Sequence, residues 1–258
     1  RAAIRLPRAG HVVAAIPDFY NFGRIGLFSM EENLKQQPTD IIKIAMFGPE
    51  STGKTTLSRA LAAHFDTVWA PEFARDYLQQ KLDQTGAICQ PEDLMAIAIG
   101  QVKAENDALL TAHKYLFCDT NLLVTKVFSE IYYNFCDPVL DKAARKHKYD
   151  LFFLTDIDVP WTKDDLRDSA ENRETIFNTF KSALIENDKP FIVLSGDEQT
   201  RFEKARIILK NLTKAKALGF SSHDFVQIYN KGIAVDAIER QLQIFQHGTS
   251  KASLVRPA

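Results

Sequence analysis

One glycine-rich segment constrains this chain more than any other part of its sequence. Residues 48–55 read GPESTGKT and match the pattern G-x-x-x-x-G-K-[ST] in full. The apolar run at 41–47 predicts a strand before the segment, and apolar residues at helical spacing predict a helix after it. A plain turn between a strand and a helix needs no lysine, whereas a loop that surrounds phosphates does. The segment therefore predicts a phosphate-binding loop.

The chemistry of phosphate binding gives each loop position a predicted task. Backbone N–H groups surround the phosphates, and glycines allow the chain to turn tightly around them. Lys54 supplies a positive charge to the β and γ phosphates, and the Thr55 hydroxyl can ligate Mg²⁺. ATP and Mg²⁺ are therefore the predicted ligands. The residues predicted to bind them are Gly48, Glu50, Ser51, Thr52, Gly53, Lys54, Thr55 and Thr56.

Beyond the loop, short apolar runs alternate with helical patterns. Runs at 67–70, 115–118, 151–154 and 191–194 predict four more strands. Continuous apolar strands separated by helices are typical of a buried parallel sheet. The predicted fold is therefore α/β, a five-stranded parallel sheet of the P-loop NTPase and nucleoside-kinase type with helices on both faces. Ligands bind beyond the carboxyl ends of such strands, which groups Gly48, Glu72, Asp119, Asp156 and Ser195 around one crevice.

Two of these strand ends carry acids with a predicted catalytic role. Asp119 follows the third strand, as expected of a carboxylate that holds Mg²⁺. Its alternative role is to cap the helix that follows. Glu72 follows the second strand and could accept the proton of a substrate hydroxyl or orient that hydroxyl. The alternative for Glu72 is a place in an acid-rich first turn at the surface.

The polar stretch after the fourth strand predicts a lid. It contains Arg167 and Arg173, which would neutralise the negative charge that develops during phosphoryl transfer. The alternative is a solvated loop whose charges form salt bridges. Trp161 could stack on a flat substrate ring, although an aromatic residue after a strand more often packs against the fold.

The overall composition argues against several classes of protein. With 32 basic and 33 acidic residues the net charge is −1, so no global field favours nucleic acid or a membrane surface. The sequence contains no run of 18 apolar residues, so it predicts no membrane-spanning helix. The three cysteines have no metal-ligand spacing, which fits reduced thiols in a cytoplasmic protein. The expected partner is a small-molecule substrate, and the oligomeric state stays open.

Residues at both ends of the chain differ from the α/β core. Residues 1–29 contain four arginines, no lysine and one acid. This bias predicts a stretch that is foreign to the domain, with Met30 as the natural start, and an Arg-rich targeting peptide is the alternative. The predicted division is a disordered leader at 1–40, the α/β domain at 41–213 and a helical tail at 214–258.

Several segments together resemble the ribosylnicotinamide kinase domain of NadR-like proteins, an AAA-type P-loop family. They are GPESTGKT at 48, PEFAR at 71, FCDT at 117, DVPW at 158 and LRD at 166. The resemblance covers about residues 41–213 and implies transfer of the ATP γ-phosphate to nicotinamide riboside, which gives nicotinamide mononucleotide. It also implies roles for single residues: Lys54 and Thr55 at ATP and Mg²⁺, Asp119 at the metal, Glu72 and Arg75 facing the substrate, and Arg167 and Arg173 in the lid. The residues predicted to bind the substrate are Glu72, Arg75, Asp119 and Trp161.

The chain also departs from the full-length family. A nucleotidyltransferase domain with an H-x-G-H-type motif precedes the kinase in those proteins, whereas only about 40 residues precede the loop here, so adenylyl transfer is not expected. The family commonly has Asp two positions after the metal-binding Asp, where this chain has Asn121. The tail after about residue 219 resembles the start of an uncharacterised bacterial domain, which predicts a truncated fusion.

Two classes of function share these features. The first is a kinase for nicotinamide riboside, or for another nucleoside or vitamin. The second is a regulatory P-loop ATPase or nucleotide switch, which moves a partner and phosphorylates no metabolite. The two arginines after the fourth strand and Glu72 favour the kinase. ATP turnover with and without an acceptor distinguishes the two classes.

Overall fold

Residues 27–160 and 172–231 are described by the structure, a computed structural model. The strands are β1 (Ile42–Phe47), β2 (Trp69–Ala70), β3 (Tyr115–Cys118), β4 (Leu151–Thr155) and β5 (Phe191–Leu194). The helices are α1 (Leu27–Asn33), α2 (Lys54–His64), α3 (Phe73–Thr85), α4 (Asp93–Leu109), α5 (Leu122–Tyr133), α6 (Pro138–Lys146), α7 (Arg173–Glu186), α8 (Glu198–Ala217) and α9 (Ser222–Asn230). No helix in the described ranges has the length and apolar character needed to cross a bilayer.

All strand pairs in the sheet are parallel, in the order β2-β3-β1-β4-β5. The predicted five-stranded parallel α/β fold is confirmed. β1 is central and each of its six residues is buried, as its largely apolar sequence predicts. Ile44 is level with Phe117 of β3 and with Leu151 of β4. Because all five strands point the same way, their carboxyl ends lie on one edge of the sheet.

Alternate residues of β1 point into two separate cores, one on each face of the sheet. Ile44 and Met46 pack with residues of α2, α8 and α9. Phe47 packs with residues of α4 to α7 on the other face. It makes edge-to-face contacts with Phe152 and Phe180, at centroid distances of 5.8 and 5.0 Å. The helices on both faces therefore hold the strand ends in a defined position.

Short polar side chains cap two helices that begin at the carboxyl edge. The Asn121 side chain accepts hydrogen bonds from the backbone N–H groups of Leu123 and Val124, at 3.0 and 3.3 Å. The Asp197 side chain accepts one from Thr200 N–H at 2.8 Å. Such caps satisfy amides that the first turn of a helix leaves without an intrahelical partner. They set where α5 and α8 begin relative to the sheet.

The structure places more of the chain in the packed body than the predicted division at 41–213 does. Leu34 is buried in the core on the α4 face, so the expected disorder of the leader does not hold for its described part. The expected boundary at 213 falls inside α8, and Phe225 of α9 is fully buried. Apolar burial is the physical reason in both places. The rest of the division concerns 1–26 and 232–258, which lie outside the described residues, and stays a prediction.

Candidate active site

The glycine-rich loop joins β1 to α2 at the carboxyl edge of the sheet. Gly48 has a φ of 135°, a conformation that residues with a side chain rarely adopt. A Cβ atom there would lie 2.9 Å from Thr155 Oγ1. The Thr52 hydroxyl donates a hydrogen bond to the Pro49 carbonyl at 2.8 Å and lies 2.7 Å from Thr155 Oγ1. The end of β4 thus supports the loop from the side of the sheet.

Lys54 begins α2 at the end of the loop. Its Nζ donates hydrogen bonds to the carbonyl oxygens of Gly48 at 3.0 Å and Pro49 at 2.6 Å, so the side chain folds back over the loop. The ammonium group therefore lies beside the main-chain turn that would surround the phosphates. The N-terminus of α2 adds positive partial charge at the same place. This arrangement is the one expected of a phosphate-binding loop.

A buried arginine that belongs to none of the sequence motifs braces the loop from α8. Arg201 is 3% exposed. Its guanidinium donates to the carbonyl oxygens of Thr52 at 2.5 Å and Asp156 at 2.9 Å, and it forms an ion pair with Asp158. Arg201 lies close to the first turn of α8, where the helix dipole disfavours a positive charge. The mismatch between the charge of Arg201 and the helix dipole is the sequence feature by which this residue could have been found.

Asp119 follows β3 and lies close to Thr55. The residue is 2% exposed, and its Oδ1 has no hydrogen-bond partner within the described residues. The pKa of Asp119 is raised to about 6, chiefly by burial; its hydrogen bond with Thr55 lowers the pKa, and the nearby charge of Glu72 raises it. The alternative role that the sequence allowed for Asp119, a helix cap, is taken by Asn121, whose side chain caps α5.

The Thr55 hydroxyl and the Asp119 carboxylate suit Mg²⁺. This ion prefers oxygen ligands, and it usually takes one or two carboxylates from the protein and further oxygens from water and phosphates. A buried carboxylate oxygen without a partner is costly, and a cation beside it would remove that cost. Across 27–160 and 172–231, no group of three or more His, Cys, Asp or Glu side chains could hold a metal. A metal at Asp119 would therefore depend on nucleotide phosphates, and its presence stays a prediction.

A cavity of about 150 Å³ opens between the loop, α3 and α5. Loop residues 50–56 form one wall, Glu72 and Arg75 form another, and Val124 and Phe128 of α5 complete it. Glu72 Oε2 lies 4.0 Å from Arg75 Nε, and both side chains are partly exposed. The carboxylate predicted to receive a proton and the residues predicted to bind phosphate therefore share one cavity.

A larger cavity, of about 1000 Å³, lies at the opposite edge of the sheet. It is lined by residues next to the amino ends of strands, among them Lys43, Asp150 and Pro190. Its size would favour it as a ligand site. In parallel sheets, however, the loops at the carboxyl ends carry the groups that bind ligands, and the phosphate-binding loop lies there. We therefore take the smaller cavity as the candidate active site.

The predicted lid lies only partly within the described residues. Trp161 and Arg167 fall outside them. Arg173 begins α7, and its Nη1 donates a hydrogen bond to the Val159 carbonyl at 3.0 Å. Its Nε and Nη2 atoms are buried and have no hydrogen-bond partner in the part of the chain that the structure describes. These two donor nitrogens could bind an anion, and the lid role of the arginines stays a prediction.

The sequence of this chain is similar to those of known proteins. The family described as an AAA domain matches residues 43–201. The chain is 30% identical over 179 residues to the trifunctional NAD biosynthesis/regulator protein NadR of Salmonella typhimurium, and the match covers 68% of this chain. It covers 44% of the relative, so the chain spans less than half the length of that protein.

Two solved structures have a similar fold. A NadR protein in complex with NR has a TM-score of 0.54 and 24% identity, over 64% of this chain and 49% of that one. A NadR protein in complex with NAD and AMP-PNP has a TM-score of 0.53 and 23% identity, over 64% and 47% of the two chains. The resemblance to NadR-like proteins that the motifs predict is thus confirmed. The family match extends over more than half of this chain. The chain therefore belongs to the AAA domain family.

Proposed function

We propose that this protein is an ATP-dependent kinase that phosphorylates a hydroxyl group of a small nucleoside, with nicotinamide riboside as the first acceptor to test. The observation that carries the proposal is the shared cavity, because Glu72 lines it together with Lys54 and Thr55. A carboxylate at this place suits a reaction in which an acceptor hydroxyl gives up its proton beside the triphosphate.

In the proposed reaction, Glu72 accepts the proton of the acceptor hydroxyl. The hydroxyl oxygen forms a bond to the γ-phosphorus of ATP, and the bond between that phosphorus and the β–γ bridging oxygen breaks. ADP leaves with the bridging oxygen, and the acceptor leaves as its phosphate ester. The carboxylate then returns the proton to solvent, so the protein ends the cycle unchanged.

The remaining predicted residues act on charge and position. Lys54 and the loop amides hold the β and γ phosphates. Thr55 and Asp119 would hold Mg²⁺, which would supply positive charge at the phosphate oxygens. The arginines Arg167 and Arg173 would donate hydrogen bonds to the same oxygens from the lid. Most of the catalytic effect in phosphoryl transfer comes from such positioning and electrostatic stabilisation.

The cavity walls fit an acceptor that has a flat ring and a polar sugar. Val124 and Phe128 form an apolar side, whereas Glu72 and Arg75 form a polar side. A NadR protein has been solved with NR bound, which supports nicotinamide riboside as the first candidate. Another nucleoside or a vitamin with the same combination of ring and hydroxyl is the second choice.

ATP turnover with and without acceptors tests the proposal. The panel contains nicotinamide riboside, deoxynucleosides and thiamine. We expect nicotinamide riboside to stimulate ATP consumption strongly and to yield a phosphorylated product. Equal turnover without any acceptor would instead favour the alternative, a regulatory P-loop ATPase. Lys54→Ala should abolish turnover in either case and serves as the control for contaminating ATPases.

The substitution Glu72→Gln tests the proposed proton acceptor. An amide cannot accept the proton, so transfer should fall by about 10²–10⁴-fold while the affinity for a non-hydrolysable ATP analogue is kept. Asp76→Asn is the matched control, because it removes an exposed carboxylate from the first turn of the same helix. It should leave transfer unchanged. Transfer by Glu72→Gln at the wild-type rate would refute the role of Glu72.

A further inference from the structure

The side chain of Gln101 on α4 forms a double hydrogen bond with the segment that carries Glu72. Gln101 is 1% exposed. Its Oε1 accepts a hydrogen bond from Phe73 N–H at 2.9 Å, and its Nε2 donates one to the Pro71 carbonyl at 3.2 Å. A backbone N–H can only donate and a carbonyl can only accept, so these two partners fix the orientation of the amide.

These two bonds lie on either side of Glu72. Glu72 occupies the N-cap position of α3 with extended backbone angles, φ −72° and ψ 104°, and its side chain makes no capping hydrogen bond. The amide of Phe73 is one of those that the start of a helix leaves without an intrahelical partner. Gln101 satisfies this amide from a neighbouring helix. The Glu72 carboxylate is therefore not needed at the start of α3 and stays at the cavity.

The residue before Gln101 allows this close approach. A Cβ atom on Gly100 would lie 2.2 Å from the Phe73 ring, so α4 can meet the start of α3 at this distance only with glycine there. Gly100 and Gln101 thus form the part of α4 against which residues 71–73 pack. The ring packs over the glycine, and the glutamine bonds to the backbone on both sides of the acid.

We propose that Gln101 is a positioning residue of the transfer reaction, which holds the Glu72 carboxylate at the place where the acceptor hydroxyl must release its proton. This inference rests on the proposed function of the cavity. The competing possibility is that Gln101 only satisfies two buried backbone groups and so stabilises the fold. For variant protein that folds correctly, the two possibilities predict different rates of phosphoryl transfer. A displacement of about 1 Å in a reacting group can cost about 10²-fold in rate.

A double-mutant cycle between Gln101→Ala and Glu72→Gln separates the two. In the wild-type background, Gln101→Ala should lower kcat about 10- to 100-fold and leave the affinity for an ATP analogue within about 2-fold. In the Glu72→Gln background it should lower the residual kcat by less than about 3-fold, because the group it positions no longer accepts a proton. Gln80→Ala, an exposed glutamine of α3, is the matched control and should match the wild type.

The outcomes also separate this inference from the proposed function. An equal loss in both backgrounds, or a wild-type kcat for Gln101→Ala while Glu72→Gln is inactive, overturns the inference alone. A wild-type kcat for Glu72→Gln overturns both. Should Gln101→Ala fail to fold, Gln101→Met replaces it. This variant keeps most of the side-chain volume and loses both hydrogen bonds, so it should show a similar kcat loss that again disappears with Glu72→Gln.

Discussion

Asp119 is a carboxylate that the folded chain keeps ionised at a cost in free energy at neutral pH. Its pKa is raised from 3.8 to about 6, chiefly by burial. A raised folded-state pKa contributes stability that is fully present below pH 3.8 and is lost as the pH rises through about 6. A cation beside the ionised carboxylate would offset that loss. The residue is therefore better suited to hold Mg²⁺ than to stabilise the fold.

The raised pKa predicts how metal binding depends on pH. Protons and Mg²⁺ compete for Asp119, so the Mg²⁺ concentration that half-saturates binding of an ATP analogue should rise as the pH falls below about 6. A titration at pH 5 and pH 7.5 measures this change. In Asp119→Asn only the ionisation of the nucleotide phosphates changes with pH, so the half-saturating Mg²⁺ concentration should change less. An identical change in both proteins would contradict a metal at Asp119.

The side chain of Arg201 joins the phosphate-binding loop to α8 and to the segment after β4. Arg201 of α8 bonds to the carbonyl of Thr52 in the loop and to that of Asp156 after β4, and it pairs with Asp158. The loop therefore depends on the packing of a helix that follows it by more than a hundred residues. The contact with Arg201 fixes the Thr52 carbonyl, and with it the main chain of the loop, from the side of α8.

Removing Arg201 should weaken the loop and the fold together. Arg201→Met leaves buried carbonyl oxygens without donors, so we expect a loss of about 1–3 kcal/mol in the free energy of unfolding. We also expect a clear loss of affinity for an ATP analogue. Urea denaturation and nucleotide titration measure the two effects. Arg206→Met is the control, because Arg206 pairs with Glu203 on the surface of the same helix, and it should cost less than about 1 kcal/mol.

At the scale of the whole molecule, α9 completes the core on one face of the sheet. Phe225 and Ile228 are buried in the same cluster as Ile44 of β1 and Leu209 of α8. A capping box between Ser221 and Asp224 starts the helix at this place. The described residues after 213 are thus held by the same apolar burial as the sheet.

Phe225→Ala tests whether α9 belongs to the cooperative fold. Removing a fully buried aromatic side chain should lower the free energy of unfolding by about 3–5 kcal/mol. Urea denaturation followed by circular dichroism measures this change. Ile207→Ala, at a partly exposed position of α8, should cost clearly less. A Phe225→Ala protein with wild-type stability would show that α9 is dispensable for the packed body.

Local patterns in the sequence were enough to predict the elements that carry the site. The predicted strands at 115–118 and 191–194 match β3 and β5, because buried strands read as short unbroken apolar runs. The loop was readable for a similar reason, since phosphate binding demands glycine, lysine and a hydroxyl at fixed spacing. The α/β class and the place of the site at the carboxyl edge followed from the same local information.

The contacts that complete the site were decided by tertiary structure. Arg201 and Gln101 act on backbone groups far away in the sequence, and a single arginine or glutamine within a helix carries no local pattern that reveals its partner. The choice between Asp119 and Asn121 as a helix cap depended on where α5 begins against the sheet. The sequence by itself determined which residues are predicted to bind a triphosphate, because that chemistry depends on neighbours in the chain. Only the fold decided what holds them in place, because long-range packing sets those contacts.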